Sequence, residues 1–365
     1  MMNIQPEDIV RSGPNQYICK EGVLKKLASF LPQFQSPAVI TGYKSYEAFT
    51  NYVHDIPENW NIIQHAGYSS RQAIADISKS SSTADIIIGI GGGIILDTAK
   101  AVAEELSLEV VLIPTVAGTC AASTPLSVIY STEGAFEQVS YHSRSSYLTL
   151  VDPAFLIHAP INYLKSGIGD TLTKWYEAEA IIRNANDKKS RTLFVQAALN
   201  QSIFIRDILL NESMEAVRNS TEGIVTESFT KTIEAVITLG GTVGGFGGRY
   251  GRMSGSHAIH NGLSFIDETH TILHGQKVAY GILVQLALES RTAEIEELLP
   301  FYQQLGFPTN LFELNIMDNQ DQAMEIVAVH AVNPKESLIL MGEYQAMDVV
   351  QAMNVLESLT TVKQA

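Results

Sequence analysis

Short apolar runs alternate with amphipathic segments from about residue 15 to residue 155 of the chain. Four of these runs are rich in β-branched residues and predict strands, at Ala38–Thr41, Asn61–Gln64, Ile86–Ile88 and Val110–Ile113. Helical patterns separate the runs, and this order is typical of a parallel sheet flanked by helices. We therefore predict an α/β domain over residues 1–160.

After Pro160 the apolar residues recur at the spacing of amphipathic helices. Helices are predicted at Tyr163–Ala180, Arg191–Leu210, Glu222–Leu239, Gly275–Leu288 and Met347–Leu359. Residues 161–365 are therefore expected to form a second, all-helical domain. The run Gly240–Gly248 has the small-residue spacing of paired membrane helices, but it is too short to span a bilayer and arginines follow it at once. We interpret it as a close helix crossing or a tight backbone beside a site.

The predicted strand at Ile86–Ile88 runs into Gly91, Gly92 and Gly93, and a helical pattern with Asp97 near its start follows. Such a turn lets backbone N–H groups approach a phosphate at a helix N-terminus. The spacing is not the ordinary dinucleotide fingerprint, because Ile94 stands where the last glycine would be. A glycine turn without any ligand therefore remains an alternative on this evidence alone.

Four of the nine histidines lie close together, at positions 257, 260, 270 and 274, and Asp170 precedes them. An aspartate with two histidines is a ligand set that zinc and ferrous iron accept. Three protein ligands leave an open coordination position, which suits catalysis rather than structure. Each histidine taken alone is more often an ordinary polar residue, so the cluster and not its members carries the prediction.

Composition indicates a soluble globular protein. The chain has 365 residues, 45% hydrophobic and 17% charged, which is enough for two packed domains. A formal net charge of −15 disfavours a nucleic-acid partner. Cys19 and Cys120 lack paired spacing, which fits a reducing compartment. The N-terminus lacks the pattern of a signal peptide, so we expect a cytoplasmic protein with no membrane partner.

Six segments follow one another in a specific order: Gly91–Asp97, Ile113–Thr119, Leu126–Tyr130, Gly167–Asp170, His257–Gly262 and His274–Gly281. Together they resemble the metal-dependent, iron-containing alcohol dehydrogenase superfamily, and within it the glycerol dehydrogenase branch. The resemblance implies the dehydroquinate synthase-like fold, with an α/β dinucleotide-binding domain and an all-α domain. It also implies an NAD(P) cofactor, one divalent metal and a homo-oligomer.

The resemblance assigns the site residues one by one. The metal ligands correspond to Asp170, His257 and His274, with zinc expected first and iron as the alternative. His260 corresponds to a histidine of the substrate pocket, and His270 has no counterpart that we can name. The cofactor is predicted to contact Gly42, Lys44, Gly91, Gly92, Gly93, Asp97, Thr115, Gly118, Thr124, Leu126 and Tyr130.

Cofactor preference is predicted from the end of the strand at Ala38–Thr41. Enzymes that prefer NAD usually place an acid there to bind the ribose hydroxyls. Here Gly42 and Lys44 follow, without an acid, which favours NADP. A solvated surface lysine with no such role is the alternative interpretation of Lys44.

Within the branch the segments Thr119–Ser127 and Gly169–Ala178 resemble the hydroxycarboxylate dehydrogenase A type, which reduces 2-oxo acids. Cys120 stands where glycerol dehydrogenases carry an aspartate that holds the polyol. Lys174 lies four residues after Asp170, so on a helix it faces the same way and is placed for a substrate carboxylate. An ordinary helical Asp/Lys pair is the simpler alternative.

The predicted reaction is hydride transfer from the nicotinamide to a 2-oxo acid such as 2-oxobutanoate or 2-oxoglutarate. The metal would polarise the ketone, and the resemblance implies that His260, or a water chain including it and a cofactor ribose hydroxyl, would supply the proton. Lys174 and His260 are the predicted catalytic residues, and Cys120 is predicted to contact the substrate with them. Glycerol oxidation, a dehydroquinate-synthase-like lyase and a non-catalytic metal-binding homologue remain alternatives.

Overall fold

The computed structural model describes residues 9–185 and 187–361. Its strands lie in the first half of the chain: β1 Tyr17–Cys19, β2 Pro37–Thr41, β3 Asn61–Gln64, β4 Ile86–Gly91, β5 Glu109–Pro114, β6 Leu126–Tyr130, β7 Phe136–Tyr141 and β8 Leu148–Val151. Six of them form a parallel sheet in the order β1-β8-β5-β4-β2-β3, and β6 pairs with β7 as a separate antiparallel hairpin.

Three helices connect the strands and ten follow the sheet within the described ranges. They are α1 Tyr43–Tyr52, α2 Arg71–Ser80, α3 Gly93–Leu106, α4 Pro153–Leu156, α5 Ile161–Asn184, α6 Leu193–Glu222, α7 Glu227–Glu234, α8 Gly240–Gly247, α9 Gly255–Leu263, α10 His274–Leu288, α11 Thr292–Leu305, α12 Gln320–Ala331 and α13 Ala346–Thr361. The prediction of a parallel α/β half followed by a helical half is therefore confirmed.

The parallel strands are buried because helices cover both faces of the sheet. In β4 every residue is buried, and its side chains alternate between the two faces. Ile86 and Ile88 pack with Phe49 on one face, whereas Ile87 packs with Ile40 and Leu112 on the other. This two-sided burial explains why the strand reads as a continuous apolar run in the sequence.

The carboxyl ends of β2, β4 and β5 meet at one edge of the sheet, since Thr41 pairs with Ile90 and Gly91 with Pro114. In open parallel sheets, ligands bind in the crevice outside this edge. The glycine turn at the end of β4 therefore lies where a dinucleotide is expected.

A π-helical turn, Ala235–Leu239, joins α7 to α8, so that residues 227–247 form one nearly continuous helix. The glycines of α8 lie close to neighbouring segments, most of them against side chains and Gly245 against the backbone of Arg11. A Cβ at Gly241 would lie 3.1 Å from Thr124 Cγ2, and Gly245 accepts a hydrogen bond from the backbone N–H of Arg11. The predicted tight backbone at this run is thus what the structure shows.

One helix in the described part of the chain, α6, is long and apolar enough to cross a membrane by length and composition alone. Of its most apolar window, 28% is buried, and Leu193, Phe194 and Phe204 are exposed. A single helix of this kind is weak evidence for a span, because core helices of soluble proteins can share its length and composition.

Candidate active site

A cavity of about 640 Å³ lies between the carboxyl edge of the sheet and the helical half of the chain. Its volume falls within the roughly 300–1,000 Å³ typical of small-molecule and cofactor sites. Most of the predicted site residues line it: Gly92, Gly93, Asp97, Gly118, Cys120, Thr124, Leu126, Tyr130, Asp170, Lys174, His257 and His274. Five do not, namely Gly42, Lys44, Gly91, Thr115 and His260.

Three helices bring Asp170, His257 and His274 together. Asp170 lies in the middle of α5, His257 in the first turn of α9, and His274 is the first residue of α10. One donor atom from each lies within 4.8 Å of the others. Asp170 and His257 are each 6% exposed, whereas the His274 side chain is 43% exposed. The triad therefore has a buried side and a side open to solvent.

The spacing of these donor atoms fits a metal. His257 Nε2 lies 3.4 Å and His274 Nε2 lies 3.5 Å from Asp170 Oδ1. A tetrahedral ion with bonds of about 2.1 Å separates its ligand atoms by about 3.4 Å. The two histidines and the aspartate would thus hold one divalent ion, and a fourth position would open into the cavity that they line.

Glu177 fixes the buried histidine from behind. Its carboxylate accepts hydrogen bonds from His257 Nδ1 at 2.9 Å and from the backbone N–H groups of Ser254 and His257 at 2.8 and 3.0 Å. Burial opposes ionisation of Glu177, but His257 and Lys174 hold its pKa below the usual value. Such a carboxylate behind a histidine directs the other ring nitrogen at a metal.

The exposed histidine has a different backing. His274 Nδ1 lies 2.9 Å from His260 Nε2, and His260 Nδ1 lies 3.0 Å from Asn261 Oδ1. Asn261 Nδ2 in turn donates to Glu336 Oε2 at 2.9 Å. Burial and the nearby His274 and Lys277 hold the pKa of His260 well below 6.5, so its ring is neutral. His260 therefore contacts a triad residue and not the cavity.

Two cations stand on the cavity wall beside the triad. Lys174 is only 9% exposed, and its ammonium has no hydrogen-bond or ion-pair partner among the described residues. Burial lowers its pKa, but Asp170, Cys120 and Glu177 outweigh that effect and the pKa is raised. Arg252 lies near enough to oppose this rise, and its guanidinium stacks 4.8 Å from the ring centre of Tyr141. No pattern in the sequence singled out Arg252.

On the opposite wall the chain offers backbone. Gly92 precedes α3 without a side-chain cap, so the first N–H groups of this 14-residue helix are available at the cavity. A Cβ at Gly92 would meet only Val116 at 3.5 Å, and one at Gly93 would lie 3.2 Å from Thr119 Oγ1. The start of α3 is thus shaped to receive an anionic group close to the backbone.

Asp97 has a partner that sequence reasoning missed. Its carboxylate pairs with Lys100 Nζ at 2.8 Å and accepts the backbone N–H of Val128 at 3.0 Å. Lys100 also donates to the carbonyl oxygens of Ala121, Thr124 and Leu126. This buried pair fixes the segment between β5 and β6, which carries Cys120 and Thr124. The pattern that could have indicated this pair was an acid and a lysine three residues apart in the mostly apolar part of the helix that precedes Glu104.

The remaining predicted residues lie near the same sheet edge. Gly42 precedes α1, where Ser45 Oγ accepts its backbone N–H at 2.9 Å, and Lys44 is exposed in the first turn of that helix. The Thr115 N–H donates to the Gly91 carbonyl at 3.0 Å. His270, to which no role was assigned, lies away from the cavity with Nε2 3.1 Å from the Ser264 carbonyl oxygen.

Comparison with known proteins adds a family to this geometry. Residues 14–153 match the iron-containing alcohol dehydrogenase family. Hydroxycarboxylate dehydrogenase A of Escherichia coli (strain K12) is 41% identical over 274 residues, which cover 75% of this chain and 74% of that protein. Glycerol dehydrogenase of Pseudomonas putida is 39% identical over 253 residues, 69% of this chain and 68% of that protein.

Solved structures share the whole architecture. A probable glycerol dehydrogenase from Sinorhizobium meliloti 1021 superposes with a TM-score of 0.86 at 29% sequence identity. The superposition covers 97% of this chain and 99% of that one. The similarity thus extends over the α/β and the helical half alike.

Proposed function

Because the chain belongs to the iron-containing alcohol dehydrogenase family, we propose that this oxidoreductase reduces 2-oxo acids to 2-hydroxy acids with NADPH. Residues 1–160 would bind the dinucleotide, and residues 161–365 would hold the metal and the substrate. The single observation that carries the choice of substrate is Lys174, a buried cation without an ion-pair partner among the described residues, which lines the cavity one helical turn from Asp170.

The carboxylate of a 2-oxo acid is bonded to the reacting carbonyl carbon, so a carbonyl at the triad places the carboxylate close by. Lys174 would bind that carboxylate with a charge-assisted hydrogen bond. Arg252 adds a second positive charge to the same wall. Cys120 also lines the cavity, and burial raises the pKa of its thiol, so the thiol is neutral and does not repel an anion. These features support an anionic substrate over a polyol.

Asp170, His257 and His274 would hold the metal, with zinc proposed first and iron as the alternative. A bound divalent ion supplies Lewis acidity at the carbonyl oxygen. Tyr130 and Leu126 line the cavity beside the start of α3 and would lie next to the nicotinamide end of the cofactor. The N–H groups of the first turn of α3 would bind the pyrophosphate, and Lys44 would bind the 2′-phosphate.

The protonation step needs a donor that reaches the product oxygen. His260 was the predicted donor, but a proton leaving it toward the cavity would have to pass through His274. The His274 side chain is 43% exposed, so solvent reaches the triad on that side. We therefore propose that water at this opening delivers the proton.

Lys174→Met tests the proposal, since it keeps the aliphatic stem and removes the charge. With 2-oxobutanoate or 2-oxoglutarate we expect kcat/KM to fall about 10- to 100-fold, the range for losing one charge-assisted hydrogen bond. Reduction of uncharged hydroxyacetone by the same variant is the internal control and should change far less. Equal losses on both substrates would contradict the carboxylate contact.

Glycerol oxidation is the second candidate, because relatives named glycerol dehydrogenase match this chain over two thirds of its length or more. The same assay decides between the two. Wild-type protein should oxidise 2-hydroxybutanoate faster than glycerol, and Cys120→Asp should shift the preference toward glycerol by repelling the carboxylate. Faster oxidation of glycerol by the wild type would favour the second candidate. Location in the cytoplasm and assembly as a homo-oligomer stay predictions.

A further inference from the structure

A line of polar contacts runs from the surface to the exposed histidine of the triad. It begins at Glu336, passes through the side chains of Asn261 and His260, and ends at His274 Nδ1, with successive distances of 2.9, 3.0 and 2.9 Å. Asn261 and His260 are neighbours on α9, whereas Glu336 is 75 residues away in sequence from Asn261. Each of the three contacts joins one side-chain nitrogen or oxygen to the next.

The direction of every hydrogen bond in this line follows from its outer end. An ionised carboxylate can only accept, so Glu336 selects the amide nitrogen of Asn261. The amide oxygen of Asn261 then faces His260 and can only accept, so His260 Nδ1 carries the proton. In a neutral imidazole the other nitrogen has a lone pair, so His260 Nε2 accepts from His274 Nδ1–H.

We propose that Glu336 is a positioning residue, which fixes the tautomer of His274 through Asn261 and His260. With its proton on Nδ1, His274 has its lone pair on Nε2, which lies 3.5 Å from Asp170 Oδ1, and a metal ion between the two atoms would bind both. This inference rests on the metal-binding part of the proposed function. It gives His260 a role in metal affinity in place of the proton relay predicted from the sequence.

Each of the two histidines of the triad is thereby oriented by a carboxylate, one in direct contact and the other through intermediate side chains. Glu177 contacts His257 Nδ1 directly, and Glu336 reaches His274 through two intermediate side chains. Second-layer partners of metal ligands typically contribute 10- to 100-fold in metal affinity. For Glu336→Ala, two side chains further out, we expect zinc affinity to weaken roughly 3- to 10-fold, and for His260→Ala about 10- to 100-fold.

The test compares wild type with Glu336→Ala, Glu336→Gln, His260→Ala and the double variant Glu336→Ala/Asn261→Asp. Zinc affinity is measured by competition with a chelator. The tautomer of His274 in metal-free protein is measured by imidazole ¹⁵N NMR. Glu336→Gln should keep wild-type values, because its amide oxygen accepts from Asn261 as the carboxylate does. The double variant should recover them, because a carboxylate at position 261 accepts directly from His260 Nδ1.

Glu325→Ala, which removes an exposed acid from α12, is the matched control for loss of surface charge and should leave both readouts unchanged. The inference is overturned if Glu336→Ala binds zinc as tightly as wild type and keeps a single Nδ1–H tautomer at His274. It is also overturned if the double variant fails to restore the tautomer while its thermal unfolding matches that of wild type. Absence of zinc binding by wild-type protein would instead refute the proposed metal site, and the NMR measurement would still decide on the tautomer.

Discussion

On the metal-binding side of the cavity the groups that would touch a ligand are side chains, whereas on the dinucleotide side they are mostly backbone. Asp170, His257 and His274 each project from a different helix. The start of α3 instead presents N–H groups beside Gly92 and Gly93, where almost no side chain intervenes.

This difference predicts opposite sensitivities. Where side chains bind the ligand, binding is lost when a side chain is shortened. The loss is large because few other side chains could replace a metal ligand. Where the backbone binds the ligand, binding is lost when an atom is added, because a methyl group fills the space that the ligand needs. The predictions below test that contrast from its largest expected effect to its smallest.

Removal of a triad histidine should have the largest effect. His257→Ala and His274→Ala each leave two protein ligands, so we expect metal affinity to fall about 100- to 1,000-fold, with turnover lost in parallel. Metal content after dialysis and steady-state assays with 2-oxobutanoate measure both. His270→Ala is the control, because this exposed histidine belongs to the same segment but lies outside the cavity. Full metal occupancy in His274→Ala would contradict the assignment of the ligands.

Lys44 is the one side-chain contact proposed for the far end of the dinucleotide side. Lys44→Ala should raise the KM for NADPH about 10- to 100-fold, as expected for loss of one charge-assisted contact with the 2′-phosphate. The KM for NADH, which has no such phosphate, should stay nearly unchanged and serves as the control. A similar change for both cofactors would leave Lys44 as an ordinary surface lysine.

Addition of a methyl group should weaken the backbone wall without unfolding it. In Gly92→Ala the new Cβ meets only Val116 at 3.5 Å, and a φ of −82° suits any residue, so stability should change by under about 0.5 kcal/mol. We expect the Kd for NADPH to rise roughly tenfold, because the methyl occupies space beside the first N–H groups of α3. Calorimetric titration with NADPH and thermal unfolding measure the two quantities.

Gly91→Ala is the matched variant one residue earlier. Its Cβ would lie 2.5 Å from Ile95 Cβ, so the turn itself would have to shift and thermal stability should fall. If Gly92→Ala binds NADPH as wild type does, the proposed approach of the pyrophosphate to this backbone is contradicted.

The smallest expected effect is on the pH dependence of stability, and it comes from His142, a buried residue of the α/β half. His142 Nε2 lies 2.7 Å from Ser127 Oγ, and Nδ1 is buried without a partner among the described residues. Burial, with a contribution from Lys100, lowers the pKa of His142 from 6.5 to about 4. Because the folded-state pKa lies below the unfolded value, its stabilising contribution is complete above pH 6.5 and is lost as the pH falls toward 4.

Between pH 7.5 and 5.5 this group should lower the free energy of unfolding by roughly 1 kcal/mol. Denaturant unfolding of metal-free protein at both pH values measures the change. His142→Gln should remove that part of the pH dependence, whereas His270→Gln should retain it. An unchanged pH dependence in His142→Gln would show that His142 is not buried in its neutral form.

Much of the fold could be predicted from the sequence, because buried apolar residues recur at the spacing of strands and helices. The bounds of β3 were predicted correctly, and β2, β4 and β5 extend only a few residues beyond their predicted ends. β1 has three residues, which is too short for a period to show, and β8 was not predicted although it is buried throughout. Helix α6 continues to Glu222 and not to Leu210, and Ser213, Ala216 and Asn219 are buried along this extension.

In the site, the spacing of residues in the sequence predicted which side chains share one helix. It did not predict which side chains of other helices contact them. Asp170 and Lys174 were expected to face the same way on a helix, and α5 contains both as buried residues. The partner of Glu177 is His257, 80 residues away, and a contact of that separation depends on how α5 and α9 pack. Arg252 and Glu336 escaped prediction for the same reason.

The π-helical turn at Ala235–Leu239 contains one residue more than an α-helical turn of the long helix through α7 and α8 would. A turn of this kind accommodates one extra residue and leaves the α-helices on either side in register. Deletion of one residue there should therefore produce an ordinary helical turn and keep Gly241 against Thr124. Deletion within the glycine run would rotate all later residues by about 100° and carry Gly245 away from Arg11. Differences in length between this chain and its homologues should therefore occur at the turn and spare the glycines.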